Sequence, residues 1–264
     1  MSYNVQIGPG GYASWKILER TMLRQRGALS QDHVIRSSKE YFSQRFPLVE
    51  TADQFVNDYR ILTVALRAFG LDSDISNKYF LKKVLEADPN DSGSFINRLS
   101  DKRYLRMNQA LSFYAPLDER GGVIDISSII EKYEIRSLEK NIGGRYPEIE
   151  LALNARRELS DLAASDASEN VKWYQVLSSK PLRRVFEVAY GLGEGFSALS
   201  IDRQLYELKG RTGILTGSND VSQFKSDEVL DIILKRFLLR SQINVSPVGS
   251  RYANALVLLG LRRV

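Results

Sequence analysis

Residues 51–70 read TADQFVNDYRILTVALRAFG, and the spacing of their apolar side chains decides the fold class. Phe55, Tyr59, Leu62, Leu66 and Phe69 step by four, three, four and three. That rhythm lines one face of an α-helix, whereas a half-buried strand would alternate every second residue. Thr51 with Gln54 three residues later forms a capping box, in which two side chains satisfy the first free backbone N–H groups. Gly70 then supplies a stop, because glycine takes the left-handed conformation that ends helices at little cost. The spacing predicts one continuous amphipathic helix.

Working outward, the pattern stays helical. Residues 1–12 include Gly8-Pro9-Gly10-Gly11, disfavour any regular element and read as flexible. A helix follows over Ala13–Arg26 on Trp15, Leu18, Met22 and Leu23, and a weaker one over Gln31–Phe46 ends before Pro47. Beyond Gly70 the stretch Ser76–Ala87 carries Tyr79, Phe80, Val84 and Leu85, and the polar loop Asp88–Gly93 interrupts it. Another helix starts near Ser94 on Phe95, Ile96 and Leu99, with a restart at Asp101 that runs to Phe113. After the break at Pro116–Gly122, Ser128 and Glu131 form a second capping box. Pro147 suits the first turn of a helix facing inward through Leu151 or Ala152, Ala155, Leu159 and Leu162. Further helices are predicted over 168–177, 180–191, 196–210, 226–241 and 249–262. The last, with Tyr252, Ala255, Leu256, Leu258, Leu259 and Leu261, is apolar around much of its circumference, so it is either deeply packed or docked on a partner.

No alternating run makes a strand. The expected class is all-α and multi-helical. The small, polar stretch Ala163–Asn170 suggests a leading segment 1–46, a first helical half 47–165 and a second half 166–264, or one compact unit. The halves look related. Ile61–Leu71 (ILTVALRAFGL) and Leu182–Leu192 (LRRVFEVAYGL) align with Val, Ala, Gly and Leu coincident and Phe opposite Tyr. Each is followed by an amphipathic helix and a polar loop. An internal repeat and two ordinary glycine-stopped helices both fit that match.

Composition removes several function classes. The chain has no cysteine, which excludes disulfides, thiolate metal sites and a thiol nucleophile. His33 is the single histidine. No apolar run reaches 18 residues, so no membrane span is expected. The N-terminus lacks a secretory signal, which points to a cytoplasmic protein or one exported by a signal-independent route. Against 37 basic residues stand 32 acidic ones, interleaved along the chain. The net charge of +5 therefore reads first as a solubility property.

Sharper motifs give way to plainer readings. Gly191-Leu192-Gly193-Glu194-Gly195 invites a phosphate-loop interpretation, but a helix precedes it and no P-loop lysine follows, so it reads as a helix stop and linker. Asp88, Asn90, Ser92 and Gly93 resemble the opening of a calcium loop. Leu99 occupies the twelfth position, where a bidentate glutamate is required, so the loop reads as a turn with Ser94 capping the next helix. His33 has no partner constellation, and no carboxylate pair suggests acid–base work. Lys82-Lys83, Arg98-Lys102-Arg103-Arg106 and Arg183-Arg184 invite reading as a phosphate-binding track, but neighbouring acids such as Glu86 and Asp101 favour an ion-paired helix surface. The 13 tyrosines and 11 phenylalanines fall mostly on apolar faces and read as core. No catalytic, cofactor-binding or metal-binding residue is assigned, and the chain is expected not to be an enzyme.

One resemblance adds a role. Asp58-Tyr59-Arg60-Ile61-Leu62, Ala65-Leu66-Arg67-Ala68-Phe69-Gly70-Leu71 and Asn97-Arg98-Leu99-Ser100-Asp101-Lys102-Arg103-Tyr104 resemble an alphaproteobacterial family of uncharacterised helical proteins encoded among flagellar genes. Gly11-Tyr12-Ala13-Ser14-Trp15 and Glu148-Ile149-Glu150-Leu151-Ala152-Leu153 are similar as well. The resemblance implies a structural or interaction protein of the flagellum or motility apparatus, with flagellar proteins as partners. It brings no catalytic residues. The net positive charge supports an alternative, a helical nucleic-acid-binding regulator.

Overall fold

Asp58 divides the helix that the 51–70 periodicity predicts. In a computed structural model of the chain, which describes residues 3–116 and 124–245, Asp58 is extended between two helices. The elements run α1 Gly11–Ser30, α2 His33–Arg45, α3 Ala52–Asn57, α4 Tyr59–Phe69, α5 Lys78–Glu86, α6 Phe95–Arg98, α7 Arg103–Leu111, α8 Ile126–Gly143, α9 Pro147–Ala164, α10 Glu169–Ser178, α11 Lys180–Tyr190, α12 Ile201–Thr216 and α13 Asp227–Val245. Short 3-10 turns join several of them, and no strand occurs among the described residues. The all-α expectation holds. The helix expected over 249–262 lies outside the described residues, as does most of the break at Pro116–Gly122.

The break at Asp58 has a local cause. Its carboxylate accepts the N–H groups of Arg60 and Ile61 at 3.0 Å each, so it caps α4 from a non-helical backbone conformation. The Tyr41 hydroxyl donates to the same carboxylate at 2.8 Å. Upstream, the predicted capping box is present in both directions, with Thr51 accepting from Gln54 N–H and Gln54 reaching back. The new phase turns Tyr59 out to solvent, 66% exposed, although its spacing had placed it on the apolar face. Leu23 is likewise exposed, because the inward stripe of α1 runs Trp15, Leu18, Gln25 and Leu29. Ser128 is not the cap of α8: the helix starts earlier, and Asp125 accepts the Ser128 N–H at 3.0 Å.

The helices form two compact units, Met1–Gln6 with Leu18–Arg145, and Ile7–Ile17 with Tyr146–Val264. In the first, α4 lies against both α2 and α8. That explains why seven of its residues, from Ile61 to Phe69, are buried rather than one stripe. Phe42, Phe46, Phe55 and Phe113 meet beside it, with Phe42 stacked on Phe46 at 4.9 Å. Residues 3–6 form no regular element, yet Val5 is buried and pinned by Asn141, whose side chain bonds Val5 N–H at 2.9 Å and Tyr3 C=O at 2.7 Å.

In the second unit, α11 lies against α9 and α13, and Trp173, Phe186, Tyr190 and Phe224 make the aromatic centre. Ile7 is buried there, and the Tyr146 hydroxyl bonds Gly8 C=O at 2.6 Å. Pro147 opens α9 as its missing N–H allows.

The same order of parts recurs in both units. A helix of six residues (α3) or ten (α10) meets an 11-residue helix (α4 or α11) through one extended residue, Asp58 or Ser179. Each 11-residue helix ends in a left-handed glycine with paired closing bonds. Leu71 N–H reaches Leu66 C=O and Leu192 N–H reaches Glu187 C=O, both at 2.8 Å. An arginine from the last described helix of each unit covers its glycine, Arg136 of α8 over Gly70 and Arg240 of α13 over Gly191.

Candidate interaction surface

The geometry of α10 begins with an ion pair whose lysine is buried and whose glutamate is half-buried. Lys172, 4% exposed, donates to Glu169 at 3.1 Å, Ser222 Oγ at 2.7 Å and Ala163 C=O at 3.3 Å. Glu169 also accepts the N–H groups of Val221 and Ser222, at 2.6 and 3.3 Å, and the Ser222 hydroxyl. Burial raises the Glu169 pKa, but the bonds from Ser222, Lys172 and the two N–H groups outweigh it and hold the carboxyl below its ordinary value. Trp173, fully buried, donates to Asn219 C=O at 2.8 Å. With 172, 173, 176 and 177 directed inward, Val171 and Tyr174 are left on the outer face, 44% and 38% exposed.

Helix α12 flanks that face. Tyr174 donates to Asp202 at 3.0 Å and Lys209 donates to Asn170 at 2.9 Å, which ties α12 along α10. Tyr206 falls between these two ties, four residues after one and three before the other, and is 70% exposed. The buried stripe of α12 is only Gln204, Leu208 and Thr212. At roughly 100° per residue the stripe Tyr206, Gly210, Ile214 lies on the opposite side. Ile214 is 89% exposed, and nothing stands within 4 Å of a Cβ built on Gly210. A glycine inside an exposed helix costs about 1 kcal/mol relative to alanine, and this one has no left-handed backbone to require it. What it provides is room for another backbone to approach. The arrangement therefore offers tyrosine rings, an aliphatic side chain and a close-approach point on two helices held rigid from behind.

The residues weighed from the sequence fall elsewhere. His33 is exposed at the first position of α2, next to its cap Asp32. In the 88–93 loop, Asp88 and Asp91 spend carboxylate oxygens on the N–H groups of Asn90 and Gly93, and Ser94 makes no side-chain cap bond. Gly191 is the left-handed end of α11. In the basic track, Arg103 grips Asp101 and Gly70 C=O, and Lys102 donates to Asn97 C=O at 2.7 Å. Lys82 pairs with Asp53, and Arg183 and Arg184 pair with Glu187. Among the described residues, no group of three or more His, Asp or Glu side chains gathers as metal ligands, and no helix is long and apolar enough to cross a membrane.

Sequence reasoning passed over Tyr206, Gly210 and Ile214. Gly210 looked like the end of a helix over 196–210, whereas α12 continues to Thr216 and stops at Gly217, which is left-handed. The available signal was the four-residue step from Tyr206 through Gly210 to Ile214.

A family model described as a protein of unknown function, DUF1217, matches residues 68–230. No curated protein matches the chain. Among solved structures, the crystal structure of protein AGR_C_984 from Agrobacterium tumefaciens is similar, with a TM-score of 0.72 and 22% identity over 90% of this chain and 94% of that one. At that identity the likeness establishes the shared helical fold.

Proposed function

We propose that this chain, which belongs to the DUF1217 family of proteins of unknown function, is a non-enzymatic interaction protein of the bacterial motility apparatus that engages partners through its α10–α12 face. The observation that carries the reading is the outer stripe of α12, where Tyr206 and Ile214 stand in solvent on either side of an interior glycine. Exposed aromatics on a rigid support are what protein-binding surfaces use for affinity at small entropic cost. The assignment to motility is supported by the resemblance of residues 55–113 to proteins encoded among flagellar genes. In that setting the chain resides in the cytoplasm or is exported to the basal body without a signal. Loss of its secretion in an export-defective strain distinguishes the two.

The same reading treats the units as two copies of one helical part. Beyond the shared order of elements, each carries Tyr-x-Leu-Lys on the helix after the glycine stop, Tyr79–Lys82 on α5 and Tyr206–Lys209 on α12. In both, the tyrosine is exposed, the leucine is fully buried, and the lysine bonds back to the helix before the 11-residue one, Lys82 to Asp53 on α3 and Lys209 to Asn170 on α10.

Affinity capture of the tagged chain from motile cells, followed by mass spectrometry, tests the function. Enrichment of flagellar basal-body, rod or export components is expected. Recovery of none of them, or of nucleic acid released steeply by salt, contradicts it and promotes the nucleic-acid-binding alternative.

A further inference from the structure

We infer that residues 3–10 form a latch built into the fold, which opens and closes as one piece while the helices of both units stay folded. Closed, it withholds Val5 and Ile7 from solvent; open, it presents them on a free extended strip. The inference does not rest on the α10–α12 surface.

The segment has one face turned inward. Val5 and Ile7 are 4% and 1% exposed and Tyr3 is half-buried, whereas Asn4, Gln6 and Gly8 are exposed. Apolar side chains that recur every second residue are what an extended backbone presents to one side. Tyr3 N–H donates to Asp32 at 2.9 Å, and the Tyr3 hydroxyl bonds Gln25. Together with the two Asn141 bonds to Tyr3 C=O and Val5 N–H, these fix the part that belongs to the first unit. The rest belongs to the second unit. There the Tyr146 hydroxyl holds Gly8 C=O, Ser14 Oγ accepts Gly10 N–H at 2.8 Å, and Glu148 accepts Gly11 N–H at 3.1 Å where α1 begins.

Each of these backbone groups is bonded by a side chain, and no helix or strand runs through residues 3–10. Lifting the segment therefore breaks no ladder of backbone pairs, and water can replace every partner. Segments held in this way open locally, at less cost than global unfolding. Gly8 and Gly10 stand on either side of Pro9 with φ of 97° and 99°. A glycine fixed there gives up more backbone freedom than any other residue, and release returns it. The segment moves as a piece because about 7 Å of chain, at roughly 3.3–3.6 Å per residue, separates Val5 from Ile7. Neither leaves its seat far without drawing the other, although one belongs to the first unit and one to the second.

The chain has no cysteine, so single introduced thiols report opening in the full-length protein. Maleimide labelling of Val5→Cys and of Ile7→Cys is expected to run about tenfold or more slower than that of Leu23→Cys, whose site is 87% exposed. It should also run about tenfold or more faster than that of Ala65→Cys in α4 or Ala189→Cys in α11, both fully buried. Asn141→Ala removes two bonds from the first-unit half. It should speed labelling about tenfold at Ile7→Cys as well as at Val5→Cys, with Ala65→Cys unchanged. Tyr146→Phe, which touches the other half, should speed Val5→Cys and leave Ala189→Cys unchanged. Labelling at positions 5 and 7 as slow as in the two buried references overturns the inference, because the segment then opens only with the core. Labelling as fast as Leu23→Cys overturns it because the segment is then unseated. Acceleration confined to the half that each substitution touches, or shared by the buried references, overturns the single latch.

Discussion

Gly70 and Gly191 do more than end helices. Both have positive φ, 72° and 64°, and both lie under an arginine, Arg136 or Arg240, that occupies the space of a side chain. Gly70→Ala and Gly191→Ala should each lower stability by about 1–3 kcal/mol, from left-handed strain and displacement of the guanidinium. Gly210→Ala should do the opposite, raising stability by up to about 1 kcal/mol, because its helix is ordinary and the space above it open. Urea denaturation of the three variants checks the signs. A second residue-scale prediction concerns acid. The Glu169 carboxyl is held below its ordinary value, so its contribution is complete above that value and is lost as pH falls through the depressed one. The urea midpoints of wild type and Glu169→Gln should therefore differ most near neutral pH and converge on acidification. A difference that grows in acid contradicts the assigned network.

At the scale of elements, periodicity was legible and phase was not. The helical class follows from residues 51–70 because the spacing of four and three excludes a strand whatever the ends do. Asp58 is harder to read, since an aspartate inside an amphipathic pattern looks like a solvated position. Only its bonds to Arg60, Ile61 and Tyr41 reveal a cap. The same difficulty moved the start of α8 from Ser128 to Asp125, where two oxygen-bearing side chains compete within one turn. For α12 the misreading concealed the candidate surface. A glycine after an apolar run signals a stop, and Gly210 signals one falsely because its backbone stays helical and Gly217 takes the left-handed role. Exposure of Tyr206 and Ile214 depends on which side α10 and α11 occupy, and no local pattern carries that.

For the whole molecule, the likeness of Ile61–Leu71 to Leu182–Leu192 was visible as a string, but its meaning lies in contacts. Each 11-residue helix is flanked by an earlier helix and by a later one, α8 or α13, and each later helix returns an arginine to the glycine stop. The sequence places each arginine more than 45 residues from its glycine, beyond any local spacing rule. Function is less legible than fold, because a docking face consists of side chains left unburied, and burial is a property of the assembled unit. The most direct measurement is quantitative affinity capture from motile cells with wild type beside a Tyr206→Ser, Ile214→Ser double variant. Both substitutions sit in solvent, so the variant should fold normally while losing most of the flagellar components that wild type recovers. Undiminished recovery by the folded double variant would contradict the claim that α10–α12 is the surface through which this protein works.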